Sequence, residues 1–212
     1  MNKTEWITSV ILIASFITGV ILYQSMPEIV ASHWNAKGEV DGYMNKFWGL
    51  FLMPIIGSVM LLLFHYIPSI DPLKENIKKF RKYFDGFIMM IMIFLAYTYF
   101  LTIIWNMGYR FSMSLQMIPG LTIIFYYSGI LIEHAKQNYF IGIRTPWTLA
   151  NETVWNKTHK VGSKLFKIAS VLILIGLLTP DNAFTIMMTI VLSISAYLVA
   201  YSYVQYRKIK KH

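Results

Sequence analysis

The side chains able to carry chemistry are few and poorly placed for catalysis. The chain has no cysteine, which removes thiol nucleophiles, disulfide scaffolds, zinc ribbons and iron–sulfur clusters. Glu133 and His134 are adjacent rather than at the i, i+4 spacing that sets two metal ligands on one helical face. Ser193 and Ser195 lie within a long apolar run with no His or Lys at the same depth to activate a hydroxyl. Serines in such runs more often serve close helix packing. His33, Asn35, Glu39 and Asp41 bring nitrogen and oxygen donors into one short segment, but the mixture selects no metal. The expectation is therefore no catalytic residue, no cofactor and no metal site.

The elements that position these residues follow from composition. Of 212 residues, 56% are hydrophobic, 16% aromatic and only 14% charged, where a soluble domain carries about a quarter charged. Mean hydropathy is +0.52. A cytosolic globule and a disordered chain are both excluded, and a polytopic membrane protein remains. Trp6–Tyr23, Trp48–Ile67, Phe87–Trp105, Phe111–Ile132 and Ala183–Tyr206 are uncharged runs of about the 20 residues that a spanning helix needs. Ile168–Leu178 is short, but the helical pattern before it, with Lys164 and Lys167 able to snorkel, makes a sixth span. No small-x-small cleavage site precedes Met26–Pro27, so the first span is expected to be retained.

With six spans, 16 of the 19 Lys and Arg side chains fall on one side, leaving Lys37, Lys46 and Arg110 opposite. That bias sets both termini in the cytoplasm. It also accounts for the net charge of +9 through anionic lipid, without direct nucleic-acid binding. The expected fold class is all-α: a six-span membrane helix bundle, N-in and C-in, in the cytoplasmic membrane. Residues 1–67 would form the first two spans with an outer loop at 24–47. Residues 68–212 would form a four-span region with a cytoplasmic loop at 133–163. The span middles carry no ionisable side chain, which argues against an ion-coupled transporter or channel. Pro54 and Pro119 read as kinks repaired by neighbouring helices, with a substrate pathway as the other reading.

Two loops are too specific to be tethers. In the outer loop, Gly38 and Gly42 permit turns, and Trp34, Tyr43 and Phe47 should fold back on the bundle mouth or sit among headgroups. Residues 133–163 read EHAKQNYFIGIRTPWTLANETVWNKTHKVGS. Ile143–Thr145 should be extended before Pro146, and Thr148 or Asn151 caps a new helix with Glu152 in its first turn. Trp155, His159, Gly162 and Phe166 then share one face, so residues 151–178 are expected to be largely one helix, interfacial at first and then spanning. Arg144 is either a lipid-phosphate anchor or a partner for Glu152 or an incoming protein.

The stretch Lys136–Phe166 closely resembles the signature of the SdpI family, six-span membrane proteins whose namesake protects a producing cell from its own secreted killing peptide. Pro27–Tyr43 resembles the small domain of unknown function often found ahead of that signature. The resemblance implies that the spans and outer loop confront an extracellular peptide toxin, with His33, Trp34, Asn35, Gly38, Asp41, Gly42 and Tyr43 as outer-loop contacts. It also implies that the cytoplasmic surface, through Arg144, Thr145, Pro146, Trp147, Glu152, Trp155 and His159, holds a transcriptional repressor. Membrane lipids are the remaining partners. A small-molecule or lipid transporter is the alternative.

Overall fold

Length and apolarity dictate the elements, because a backbone in lipid must satisfy its own hydrogen bonds. The computed structural model describes residues 3–179 and 182–210. In chain order it contains α1 (Lys3–Leu22), β1 (Ile29–Trp34), β2 (Val40–Asn45), α2 (Lys46–Ile70), α3 (Lys74–Lys79) and α4 (Arg81–Asn106). There follow α5 (Met113–His134), α6 (Pro146–Ala150), α7 (Glu152–Ile173), a 3-10 turn at Leu174–Leu177, and α8 (Ala183–Lys210). Among the described residues five helices, α1, α2, α4, α5 and α8, are long and apolar enough to cross a membrane. Their outward faces are bare: Ile21, Leu62, Ile123 and Leu192 are each more than half exposed. A continuous apolar surface of this kind is tolerated in lipid and not in water.

Helix α7 is different in character. Its first turns are polar, and the helix with its 3-10 turn runs antiparallel along α5. Trp155 Nε1 donates to the Ala135 carbonyl just past the end of α5, and Phe166 stacks on Phe125 at 5.8 Å. Ile173 joins Ile118 and Ala183 in one cluster near the start of α5. The close approach depends on Gly129, where a Cβ would lie 2.9 Å from the Ser163 carbonyl. The expected helix at 151–178 is thus present, capped by the Asn151 side chain, which accepts from Val154 N.

The prolines do not break their helices. Pro54 and Pro68 lie inside α2, and Pro119 lies inside α5. Near Pro54, α1 closes on α2 and α4. A Cβ on Gly19 would meet the Phe51 ring at 2.9 Å, and the buried Tyr99 hydroxyl donates to Ser15 O at 3.0 Å. Ser195, in α8, is exposed and returns its hydroxyl to Val191 O on its own helix.

The departure from an all-helical reading lies in residues 24–47, where β1 and β2 pair antiparallel with an irregularity between Ala31 and Trp34. Such a hairpin is marginal alone. Here the side chain of Asn106, the last residue of α4, completes its edge. Asn106 Oδ1 accepts from Ala31 N at 2.8 Å, and Nδ2 donates to Ala31 O at 2.9 Å.

Candidate functional site

At the hairpin end of the bundle, Asn35 organises the turn. Its Oδ1 accepts from Lys37 N and Glu39 N, and its Nδ2 donates to Glu39 Oε2. Gly38 completes the turn at φ 78°. His33 pairs through Nδ1 with Asp41 Oδ1 at 2.5 Å in solvent. Gly42 stands opposite His33 in the ladder, where a Cβ would press on His33 Cβ at 2.8 Å. Among the described residues no three His, Asp or Glu side chains are grouped around a metal-sized space.

The aromatic rings of this end divide in two. Trp34 folds back as expected, edge-on to Trp105 at 5.4 Å, and its indole N–H is buried without a partner. Tyr43 does not fold back: it is 65% exposed, and Phe47 and Trp48 are also exposed. Arg110 covers the Trp105 ring at 3.5 Å. Beneath the hairpin lies a cavity of about 400 Å³, with Trp34, Asn35, Met53, Thr102, Met117 and Met187 in its lining. Flexible thioethers suit such a wall to apolar groups of varied shape.

At the opposite end, residues 135–159 form a knot of hydrogen-bonded polar groups, with the buried Thr158 hydroxyl left without a partner. Trp155 is wholly buried and stacks on His159 at 3.9 Å. His159 donates from Nδ1 to Trp155 O and accepts at Nε2 from Ile143 N. Both ring nitrogens are used, and burial pushes its pKa down to about 4, so the imidazole is neutral. Gly142 is held at φ 116°, and a Cβ there would lie 2.4 Å from His159 Nε2. Asn151 caps α7 as expected, and Thr145 starts a separate short helical turn, α6, ahead of it. Thr145 accepts from Thr148 N while Thr148 Oγ1 accepts from Thr145 N, a reciprocal cap of α6. Thr145 Oγ1 also donates to Ser202 on α8 at 3.0 Å.

Of the seven residues expected at this end, Thr145, Trp155 and His159 are buried, and Trp147 is half-buried against Tyr203 at 5.0 Å. Arg144, Pro146 and Glu152 are exposed. Of the readings open for Arg144, the pairing with Glu152 is not formed: Arg144 Nη1 donates to Tyr139 O at 3.1 Å. That bond leaves the guanidinium on the loop's own backbone, while Glu152 occupies the first turn of α7.

Three residues that sequence reasoning missed hold the knot together. The fully buried Asn138 donates to Lys136 O and Ile141 O and accepts from Phe140 N and Ile141 N. Gln137 Nε2 donates to Thr148 O and Leu149 O at the end of α6. Asp71, only 2% exposed, accepts from Leu73 N and from Tyr139 N. The available signals were the Asp71–Pro72 turn after α2 and the adjacent amides Gln137–Asn138, both local backbone caps.

Residues 10–57 match a domain of unknown function, DUF1648, and residues 134–202 match the SdpI/YfhL protein family. The first match covers most of α1, the hairpin and the start of α2; the second covers the knot, α7 and most of α8. The chain is 28% identical over 208 residues to "Immunity protein SdpI" of Bacillus subtilis (strain 168), covering 98% of each chain. No solved structure matches. With these two regions in this order and a similarity that runs nearly end to end, the chain carries a DUF1648 region followed by an SdpI/YfhL-family region and is a multi-pass protein of the plasma membrane.

Proposed function

We propose that the protein is a non-enzymatic immunity protein that protects its cell against an extracellular antimicrobial peptide. The observation that carries this reading is the similarity to an immunity protein over 98% of both chains. In this reading six segments cross the membrane, the sixth being the second half of α7 with its 3-10 turn, and both termini are cytoplasmic. Its antiparallel course along α5 supports the sixth crossing, as the 16 to 3 split of basic residues supports the orientation. The hairpin then faces outward, and the knot with its exposed Arg144, Pro146 and Glu152 faces the cytoplasm, where it offers a small docking surface to a repressor protein. The exposed rings of Tyr43, Phe47 and Trp48 supply rigid amphipathic anchors for a peptide at the membrane surface.

Expression in a peptide-sensitive cell tests the reading: survival should rise with the protein and fall back in a hairpin variant. Trp34→Ala should lower protection and thermal stability together, since Trp34 seats the hairpin on Trp105. Replacing Tyr43, Phe47 and Trp48 by Ala should lower protection with membrane yield and stability retained. Unchanged protection in that triple variant would remove the hairpin face from the mechanism. Absence of protection by the parent chain against a panel of membrane-active peptides would overturn the immunity reading itself.

A further inference from the structure

Between the end of α5 and the polar face of α7 lies a second cavity of about 500 Å³, lined by Glu133, Ala135, Lys136, Asn156, His159, Lys160, Ser163, Lys164 and Lys167. Lys160, Lys164 and Lys167 follow at i, i+4 and i+7 on α7, so one helical face presents all three. The only carboxylate in the lining, Glu133, is occupied: Lys167 pairs with it and Ser163 donates to it. No carboxylate among the described residues comes within ion-pair distance of Lys136, Lys160 or Lys164. His159 adds no charge and no free donor, because both its nitrogens are bonded to backbone. Near α3, two of the basic groups do have carboxylate partners: Lys78 pairs with Glu75 and Arg81 with Asp85.

We infer that this cavity binds a phosphate group, three lysines closing on it as point charges from two sides. Like charges gathered on one concavity repel unless an anion lies among them, and a phosphate oxygen accepts from Lys, Asn156 and backbone alike. The volume holds more than about ten waters at about 30 Å³ each, room for a phosphate with either its substituents or its hydration shell. The cavity lies where α5 ends and the first polar turns of α7 give way to its apolar half, the level at which a basic pocket between helices meets lipid headgroups. Two sources carry this chemistry: the phosphodiester of an anionic lipid, and free phosphate. The inference rests on the multi-pass membrane reading and does not depend on peptide immunity.

The test is thermal unfolding of the full-length protein in detergent, titrated separately with phosphatidylglycerol, phosphatidylcholine and inorganic phosphate. Phosphatidylglycerol should raise the midpoint of the parent protein. The variant Lys136→Gln/Lys160→Gln/Lys164→Gln should need about a hundredfold more, at about fivefold per lysine near a charged headgroup. The variant Lys79→Gln/Lys208→Gln/Lys210→Gln, with equal charge removed elsewhere at the same end, should respond like the parent. Protection by inorganic phosphate, lost in the first variant alone, assigns the cavity to a soluble phosphate. Protection by phosphatidylglycerol without phosphate assigns it to lipid. Equal loss in the two triple variants, or equal response to both lipids with none to phosphate, overturns the inference. Midpoints without additive report folding, and if the first variant is unfolded, Lys160→Gln and Lys164→Gln singly should each show the fivefold loss. Cell-survival assays fail or succeed independently of this titration.

Discussion

At the scale of single residues, the knot depends on positions that tolerate no other side chain. Gly142 combines a positive φ with a Cβ position 2.4 Å from His159 Nε2, so Gly142→Ala meets both backbone strain and a clash. It should cost about 2–4 kcal/mol. Gly108 has φ 106° with open space around it, so Gly108→Ala should cost only about 1 kcal/mol. Unfolding midpoints of the two variants measure the difference. His159 makes the same region acid-sensitive. Its folded pKa of about 4 lies below the ordinary 6.5, so the unfolded chain takes up a proton that the fold refuses. Stability is therefore complete above pH 6.5 and declines as pH falls toward 4, by about 3 kcal/mol for this group. A midpoint series from pH 7.5 to 4.5 should show the fall, and His159→Gln should flatten it.

At the scale of elements, the five long helices were legible because apolar length alone specifies them. The helix at 151–178 was legible through its caps and its one-faced repeat of Trp155, His159 and Gly162. The hairpin was not. Residues 29–45 alternate weakly, and the bonds that complete the strand edge come from Asn106, 75 residues away from Ala31. Local pattern does not encode such a partner. The burial of Thr145, Trp155 and His159 was hidden for the same reason, since their neighbours lie on α5, α8 and the loop before them. Asn106→Ala removes the donor and the acceptor that hold Ala31 to α4, and should loosen the hairpin while sparing the helices. Amide exchange should rise at residues 29–45 and remain unchanged in α4 and α5. Uniform exchange across the chain would mean that the hairpin's stability lies elsewhere.

At the scale of the whole molecule, the positive-inside argument yields a direct check. Reporter fusions after Gly38 should read as external and fusions after Lys78 as internal, and the reverse would refute the orientation. The two ends of the bundle are sealed by different means. At the hairpin end, rings and the Asn106 clamp do the work. At the other end, Glu5 accepts from His65 at 2.9 Å and lies 3.9 Å from Arg81, which also pairs with Asp85. Asp71 there reaches Tyr139 N across 68 residues of sequence. That last bond sets a timetable. A ribosome adding about 5–20 residues per second needs roughly 3–14 seconds to travel from Asp71 to Tyr139. Throughout that interval the nascent chain holds its carboxylate without the amide that will cover it. The four long apolar helices that precede Tyr139, α1, α2, α4 and α5, are therefore all synthesised before the seam beneath them can close, and a chain released early leaves that seam open to quality-control proteases.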